Sequence, residues 1–215
     1  MLGLFDSGMG GLNTVRYLKL SGDDCNLIYL IDRNNAPYGN KSEKELVEIT
    51  KNNIKTLTGM GAKRVLIACC TASTVHSLLP REERLASIPI IDAVAKEAKR
   101  RSSGGRIGVI ATERTISSHA FRDALEGYFV KELSLGQLVT LIDGGLSDYT
   151  ATENDVKALE DMLSPILSEN IDTLILGCTH FPALILTIGK ILEKYSETEI
   201  VDSARVGADI LKQQR

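Results

Sequence analysis

Val65-Leu-Ile-Ala-Cys69 and Leu174-Ile-Leu-Gly-Cys178 decide the fold. Each is a short apolar run that closes on a cysteine and is followed within two residues by threonine. Two further pairs repeat in the same order: Leu2-Gly-Leu-Phe-Asp-Ser7 with Ile107-Gly-Val-Ile-Ala-Thr112, and Ile90-Ile-Asp92-Ala93 with Ile200-Val-Asp202-Ser203. The offsets are 105, 109 and 110 residues, so one half of the chain echoes the other. The apolar residues are continuous rather than alternating, which predicts strands buried on both faces.

Working outward, the same signature predicts strands at Leu2–Phe5, Leu27–Ile31, Val65–Ala68, Ile88–Ile91, Ile107–Ile110, Leu138–Ile142, Leu174–Leu176 and Glu199–Val201. Helix-length segments lie between them, among them Ser42–Thr58, Glu153–Leu167 and Pro182–Lys194. Ser42 and Glu45 have the spacing of a capping box that opens the first of these. Strand–helix alternation predicts an α/β fold with mainly parallel sheets. Together with the repeat it predicts two pseudo-symmetric lobes, each a sheet flanked by helices, with the active site in the cleft between them. The polar stretch Lys99–Gly105 marks the boundary, giving lobes of residues 1–98 and 99–202, with 203–215 packing back on the first.

Composition narrows the function. The 215 residues are 43% hydrophobic and 25% charged, with a net charge of −3, which is ordinary globular composition. No apolar run approaches the roughly 18 residues of a membrane span, and no signal peptide is legible after Met1, so a cytoplasmic protein without membrane partners is expected. Basic residues are scattered and aromatics make up 5%, which argues against nucleic acid as a partner. The four cysteines, Cys25, Cys69, Cys70 and Cys178, are expected as thiols in a reducing compartment.

In open parallel sheets ligands collect at the carboxyl ends of strands. That rule selects Asp6 and Ser7, Asp32 and Arg33, Cys69 to Thr71, Asp92, Thr112, Cys178 to His180 and Asp202. Cys69 and Cys178 hold equivalent positions of the repeat, each near a predicted helix N-terminus that would favour a thiolate. Two thiols on opposite walls of one cleft suit stereoinversion, one removing a proton and the other delivering one to the opposite face. Cys70 is a second candidate in the first half, because Cys70-Thr71 also matches Cys178-Thr179. His180 is placed to polarise Cys178, and Asp6 to orient a substrate ammonium or to make Cys69 more basic. Cys25 reads as incidental, and His76 and His119 as packing or surface residues. The chain has no C-x-x-C pair, no phosphatase C-x5-R loop and no standard zinc spacing, so no metal is expected. The glycine turn Asp6-Ser-Gly-Met-Gly-Gly11 lies where a dinucleotide fingerprint would sit, but Asn13 stands where its third glycine belongs. Its backbone N–H groups suit a carboxylate as well as a phosphate.

Six ordered motifs carry a family resemblance: Phe5-Asp-Ser-Gly-Met-Gly-Gly-Leu12, Pro37-Tyr-Gly-Asn-Lys-Ser42, Ala68-Cys-Cys-Thr-Ala-Ser73, Thr112-x-x-Thr115-Ile-x-Ser118, Leu176-Gly-Cys-Thr-His-Phe-Pro182 and Asp202-Ser-Ala204. Over almost its whole length the chain resembles glutamate racemases of the aspartate/glutamate racemase superfamily. The resemblance implies a cofactor-independent racemase acting on an amino acid, with Cys69 and Cys178 as its two bases, assisted by Asp6 and His180 respectively. It implies a substrate pocket formed by Ser7, Pro37, Tyr38, Gly39, Thr71 and Thr179, to which Cys70, Thr112 and Thr115 are added. It further implies D-glutamate as a product for peptidoglycan. Three departures stand out: Cys70 replaces the family's asparagine, Asp143 stands in for its glutamate, and the chain stops 13 residues after Asp202, short of the family's usual extension. Glutamate is therefore the leading substrate, with aspartate, lysine or diaminopimelate as alternatives. A non-catalytic small-molecule binder and a nucleotide-binding α/β protein are the competing classes, and a homodimer stays open.

Overall fold

The computed structural model describes residues 1–195 and 197–214. In chain order the elements are β1 (Leu2–Asp6), α1 (Leu12–Leu20), β2 (Leu27–Ile31), α2 (Glu43–Gly59), β3 (Arg64–Ile67), α3 (Cys70–Ser73), α4 (Arg81–Ala86), β4 (Ser87–Pro89), α5 (Ile90–Arg101), β5 (Arg106–Ala111), α6 (Glu113–Ser117), α7 (Ala120–Ala124), β6 (Phe129–Ser134), α8 (Gly136–Asp143), α9 (Glu153–Leu167), β7 (Thr173–Gly177), α10 (Ile185–Leu192), β8 (Glu199–Asp202) and α11 (Ser203–Gln213). Short 3₁₀ turns add Met9–Gly11, Tyr38–Asn40, His76–Leu78 and Phe181–Leu184.

Among the described residues, eight strands form two all-parallel sheets of identical topology, β2-β1-β3-β4 and β6-β5-β7-β8. The sequence repeat is thus a repeat of supersecondary structure. Parallel pairing requires a crossover through a covering layer, which is why the central strands are buried on both faces. All five residues of β1 and all five of β7 are buried.

The core has three layers. Phe5, Leu46, Ile54, Leu57, Val65 and Ile67 fill the space between the first sheet and α2. Ile110, Leu163, Ile166, Leu174, Leu176 and Ile188 fill the space between the second sheet and α9 and α10. The middle layer joins the lobes: Leu4 and Leu66 of one sheet and Val109 and Ile175 of the other share a cluster with Val94 of α5, Phe121 of α7 and Leu211 of α11. α11 packs on α1 and α5, and α5 in turn packs on β7 and β8.

α2 begins with the expected capping box. Glu45 N–H donates to Ser42 Oγ (3.3 Å), and Ser42 N–H donates to Glu45 Oε2 (2.8 Å). A second box, Thr152 with Asp155, opens α9.

The structure corrects two strand expectations. Leu138–Ile142 is not a strand but most of helix α8, with Leu138 turned to the core and Leu141 exposed. The strand paired with β5 is Phe129–Ser134. It lies at the sheet edge, half-buried, and its sequence Phe-Val-Lys-Glu-Leu-Ser lacks the continuous apolar run of a central strand. The strand expected over Ile88–Ile91 ends at Pro89, and Ile90 and Ile91 begin α5. Asp92 therefore lies in the first turn of that helix, exposed, and does not face the site.

Candidate active site

In each sheet the chain reverses its direction of strand addition beside the first strand. Ligand crevices form outside the carboxyl ends of strands at such switch points. β1 and β3 meet at one switch point and β5 and β7 at the other, so the residues that follow them are Asp6-Ser7, Cys69, Thr112 and Cys178. The two crevices open onto a single cavity of about 100 Å³ between the lobes. Of the residues named from the sequence and from the family resemblance, Ser7, Pro37, Tyr38, Gly39, Cys69, Cys70, Thr71, Thr112, Cys178, Thr179 and His180 line it. Gly8, Ala36, Val139, Asp143 and Gly177 complete the wall. Asp6 and Thr115 stand directly behind it, both fully buried.

Cys69 is the residue before α3 and holds N-cap geometry. Its sulfur lies 3.6 Å from Ser7 Oγ and accepts from the backbone N–H groups of Ser7 and Ala72. Burial pushes this thiol up to about 11, and the neighbouring Asp6 charge adds to that rise. Asp6 Oδ2 accepts from Gly11 N–H (2.8 Å) and Thr179 Oγ1 (3.0 Å), and Oδ1 has no hydrogen-bond partner. Burial raises the Asp6 carboxyl too, against the opposing influence of His180.

Cys178 follows β7. Its sulfur is 3.7 Å from His180 Nδ1, and His180 Nε2 is 3.3 Å from Asp143 Oδ1. Burial pushes this thiol up as well, and the Cys69, Asp6 and Asp143 charges push the same way. The expectation that helix N-termini would favour thiolates is thus corrected. Desolvation of the buried sulfurs outweighs the few N–H groups that reach each of them.

Cys70 lines the cavity but belongs to the middle core layer. Burial raises it well above an ordinary thiol. Thr71, Thr112 and Thr115 form a closed ring of hydroxyls, with Oγ1–Oγ1 distances of 2.9, 3.1 and 2.9 Å, that ties α3 to α6 across the cleft. Tyr38 is held by Asp32, which accepts from Tyr38 OH (2.7 Å), Asn53 Nδ2 (3.0 Å) and Asn35 Nδ2 (2.9 Å). Arg33 is exposed and reaches Met9 Sδ instead of the cavity. Asp202 is buried away from it, capping α11 through Ala204 N–H (2.8 Å).

The glycine turn after β1 serves close approach. A Cβ on Gly10 would overlap Thr179, reaching its carbonyl carbon at 2.7 Å and His180 Nδ1 at 2.8 Å. The turn therefore presses against the Cys178-Thr179-His180 turn of the other lobe. Among the described residues, no group of three or more His, Cys, Asp or Glu side chains is arranged to hold a metal, and no helix is long and apolar enough to cross a membrane.

Sequence reasoning did not pick out Val139, because it lay in the misassigned strand, nor Asn13 and Asn53 as partners of site residues. Asn53 carries a legible signal, a polar residue on the apolar face of α2.

Comparison with known proteins agrees with this geometry. The Asp/Glu/Hydantoin racemase family model matches residues 14–211. A glutamate racemase of Desulforudis audaxviator is 38% identical over 208 residues, 94% of this chain and 74% of the relative. A solved glutamate racemase isoform from Bacillus anthracis superposes with a TM-score of 0.86 at 29% identity, covering 100% of this chain and 80% of that one. The Francisella tularensis glutamate racemase, solved in complex with D-glutamate, superposes with a TM-score of 0.85 at 29% identity, covering 99% and 80%.

Proposed function

The chain belongs to the Asp/Glu/Hydantoin racemase family and is an amino-acid racemase; from that premise we propose that it interconverts L- and D-glutamate without a cofactor, using Cys69 and Cys178 as paired acid and base. The observation that carries this reading is the arrival of both thiols, from equivalent strand ends of two like sheets, on one small cavity. One thiolate takes the Cα proton and the opposite thiol returns a proton to the other face, and the roles exchange in reverse. The Cys69 charge raises the affinity of Cys178 for a proton. That repulsion favours the state in which one sulfur is ionised and the other is not, which is the state inversion requires.

A Cα proton beside a carboxylate is very weakly acidic, so a thiolate made strongly basic by burial is the appropriate base. Asp6 supports Cys69, and His180 with Asp143 supports Cys178. The described residues lining the cavity include no lysine or arginine. The substrate carboxylates are assigned to hydroxyls and backbone N–H groups, from Ser7, Thr71, Thr112, Thr179 and the Pro37-Tyr38-Gly39 turn. Thr115 orients the threonine ring, and Cys70 fills the wall. The same reading divides the chain into lobes of residues 1–98 and 99–202, with 203–215 on the first, and assigns the D-glutamate to cytoplasmic peptidoglycan synthesis.

The test is NMR in D2O with L- and D-glutamate, aspartate, lysine and diaminopimelate. Cα exchange with inversion for glutamate is expected. Inversion of another pair alone would reassign the substrate, and no exchange for any pair would remove the catalytic reading.

A further inference from the structure

Asn13 lies outside the cavity wall, in the first turn of α1, and is half-buried. Its side-chain Nδ2 donates to the backbone carbonyl of Thr179 at 2.9 Å, across the cleft and 166 residues away in sequence. The hydroxyl of the same threonine donates to Asp6 Oδ2 at 3.0 Å. Thr179 is thus held at two atoms by the first lobe, and it sits between Cys178 and His180. Gly10 fits against the same residue so closely that no side chain could intervene.

We propose that Asn13 is a positioning residue for Cys178: its amide holds the Cys178-Thr179-His180 turn against the β1–α1 turn and so fixes the distance of that thiol from the substrate carbon. The inference rests on the two-thiol reading. Asn13 touches neither the reacting atoms nor the cavity. Its effect travels through one peptide carbonyl whose neighbours bear the thiol and its histidine.

Misplacement of a reacting group by about 1 Å costs on the order of 10²-fold in rate. Loss of this bond leaves Cys69 and the pocket hydroxyls in place. Asn13→Ala is therefore expected to lower kcat about 10- to 100-fold and to move KM by less than about threefold. The effect should also be one-sided. Proton transfer at Cys178 becomes the slower of the two transfers. With α-deuterated substrates the primary isotope effect then rises for the enantiomer deprotonated by Cys178 and falls for the other.

The experiment measures kcat, KM and the primary isotope effect for α-deuterated L- and D-glutamate, on the wild type and on Asn13→Ala. Cooperative thermal unfolding serves as the check of folding. The wild type tests the two-thiol reading by itself: absence of racemisation, or of an isotope effect in either direction, removes that reading before the variant is considered. Given a normal wild type, opposite movements of the two isotope effects with a lowered kcat support the proposal. A kcat within twofold of wild type overturns it, as does a lowered kcat with both isotope effects unchanged. If Asn13→Ala does not fold, Asn13→Asp keeps the shape while removing the amide donor and is read in the same way.

Discussion

The two halves of the site are built on the same strand order yet handle charge differently. Cys69 has a carboxylate sealed in the protein beside it, since Asp6 is 0% exposed and is bonded to Gly11 N–H and Thr179 Oγ1. Cys178 has a histidine whose far nitrogen meets Asp143, a residue whose side chain is 58% exposed. One half keeps its charge in a low-dielectric interior, and the other connects its thiol through an imidazole to a carboxylate in solvent. A repeated scaffold thus fixes where the sulfurs stand, while the charged partners beside them differ between the halves.

The sharpest way to break the comparison is to remove a sulfur. Under the proposed mechanism Cys69→Ala and Cys178→Ala each lower racemisation by about 10³-fold or more, because neither acid nor base can be replaced by the other half. Polarimetry with each enantiomer checks this. Each variant should still exchange the Cα proton of one enantiomer only, the opposite one in the two cases, as seen by NMR in D2O. Cys70→Ala should leave racemisation within about tenfold of wild type, since that thiol packs as a small buried apolar group. A loss equal to that of Cys69→Ala would move the base to Cys70.

The next effect tests the buried charge. Asp6→Asn should lower the maximal rate about 10² -fold by withdrawing a group that makes Cys69 a stronger base. It should also move the rising limb of the pH–rate profile to lower pH. The sign follows from the position of the thiol: Asp6 helps to push Cys69 up to about 11, so removing its charge lets the thiolate form earlier. An alkaline shift of that limb would contradict the assignment.

Much of this architecture was legible in the sequence, and the failures have physical causes. Central strands announced themselves because parallel sheets covered on both sides demand unbroken apolar runs, as in Val65–Ile67 and Leu174–Leu176. The edge strand Phe129–Ser134 was hidden for the same reason, since an edge needs no such run, and the apolar stretch of α8 imitated one. Ser7, Cys69, Thr112 and Cys178 were legible because strand ends at a topological switch must converge, whereas Pro37, Tyr38 and Gly39 came from the family resemblance alone. The direction of the thiol shifts was not, because burial depends on closure of two lobes that no local pattern encodes. Nor were the bonds of Asn13 and Asn53, which join residues 166 and 21 positions apart.

A smaller effect concerns the wall of the first half. Burial works to raise the Asp32 carboxyl, but hydrogen bonds from Asn53, Tyr38 and Asn35 outweigh it and hold the group low. Asp32→Asn places an amide against these donors and should cost about 1–3 kcal/mol in denaturant unfolding at pH 7. A lowered carboxylate contributes stability above its unfolded pKa and loses it as pH falls through the folded one. The gap between wild type and variant should therefore close below about pH 4. With Tyr38 less well held, KM should rise more than kcat falls.

The smallest effect is the most discriminating one. Two unit charges about 4 Å apart interact by about 1 kcal/mol in water and several times more strongly in a less polar surrounding. Asp143 stands at the solvent end of the chain that leads to Cys178, so Asp143→Asn should lower kcat only about three- to tenfold. Solvent-exposed interactions are screened by salt, with a Debye length near 3 Å at 1 M. The penalty of Asp143→Asn should accordingly shrink as salt is raised, while that of Asp6→Asn should stay constant. Parallel salt titrations of the two variants separate a buried from an exposed charge without reference to absolute rates. Equal salt sensitivity would mean that the two halves are electrostatically alike, and that their different partners do not divide the work of proton transfer.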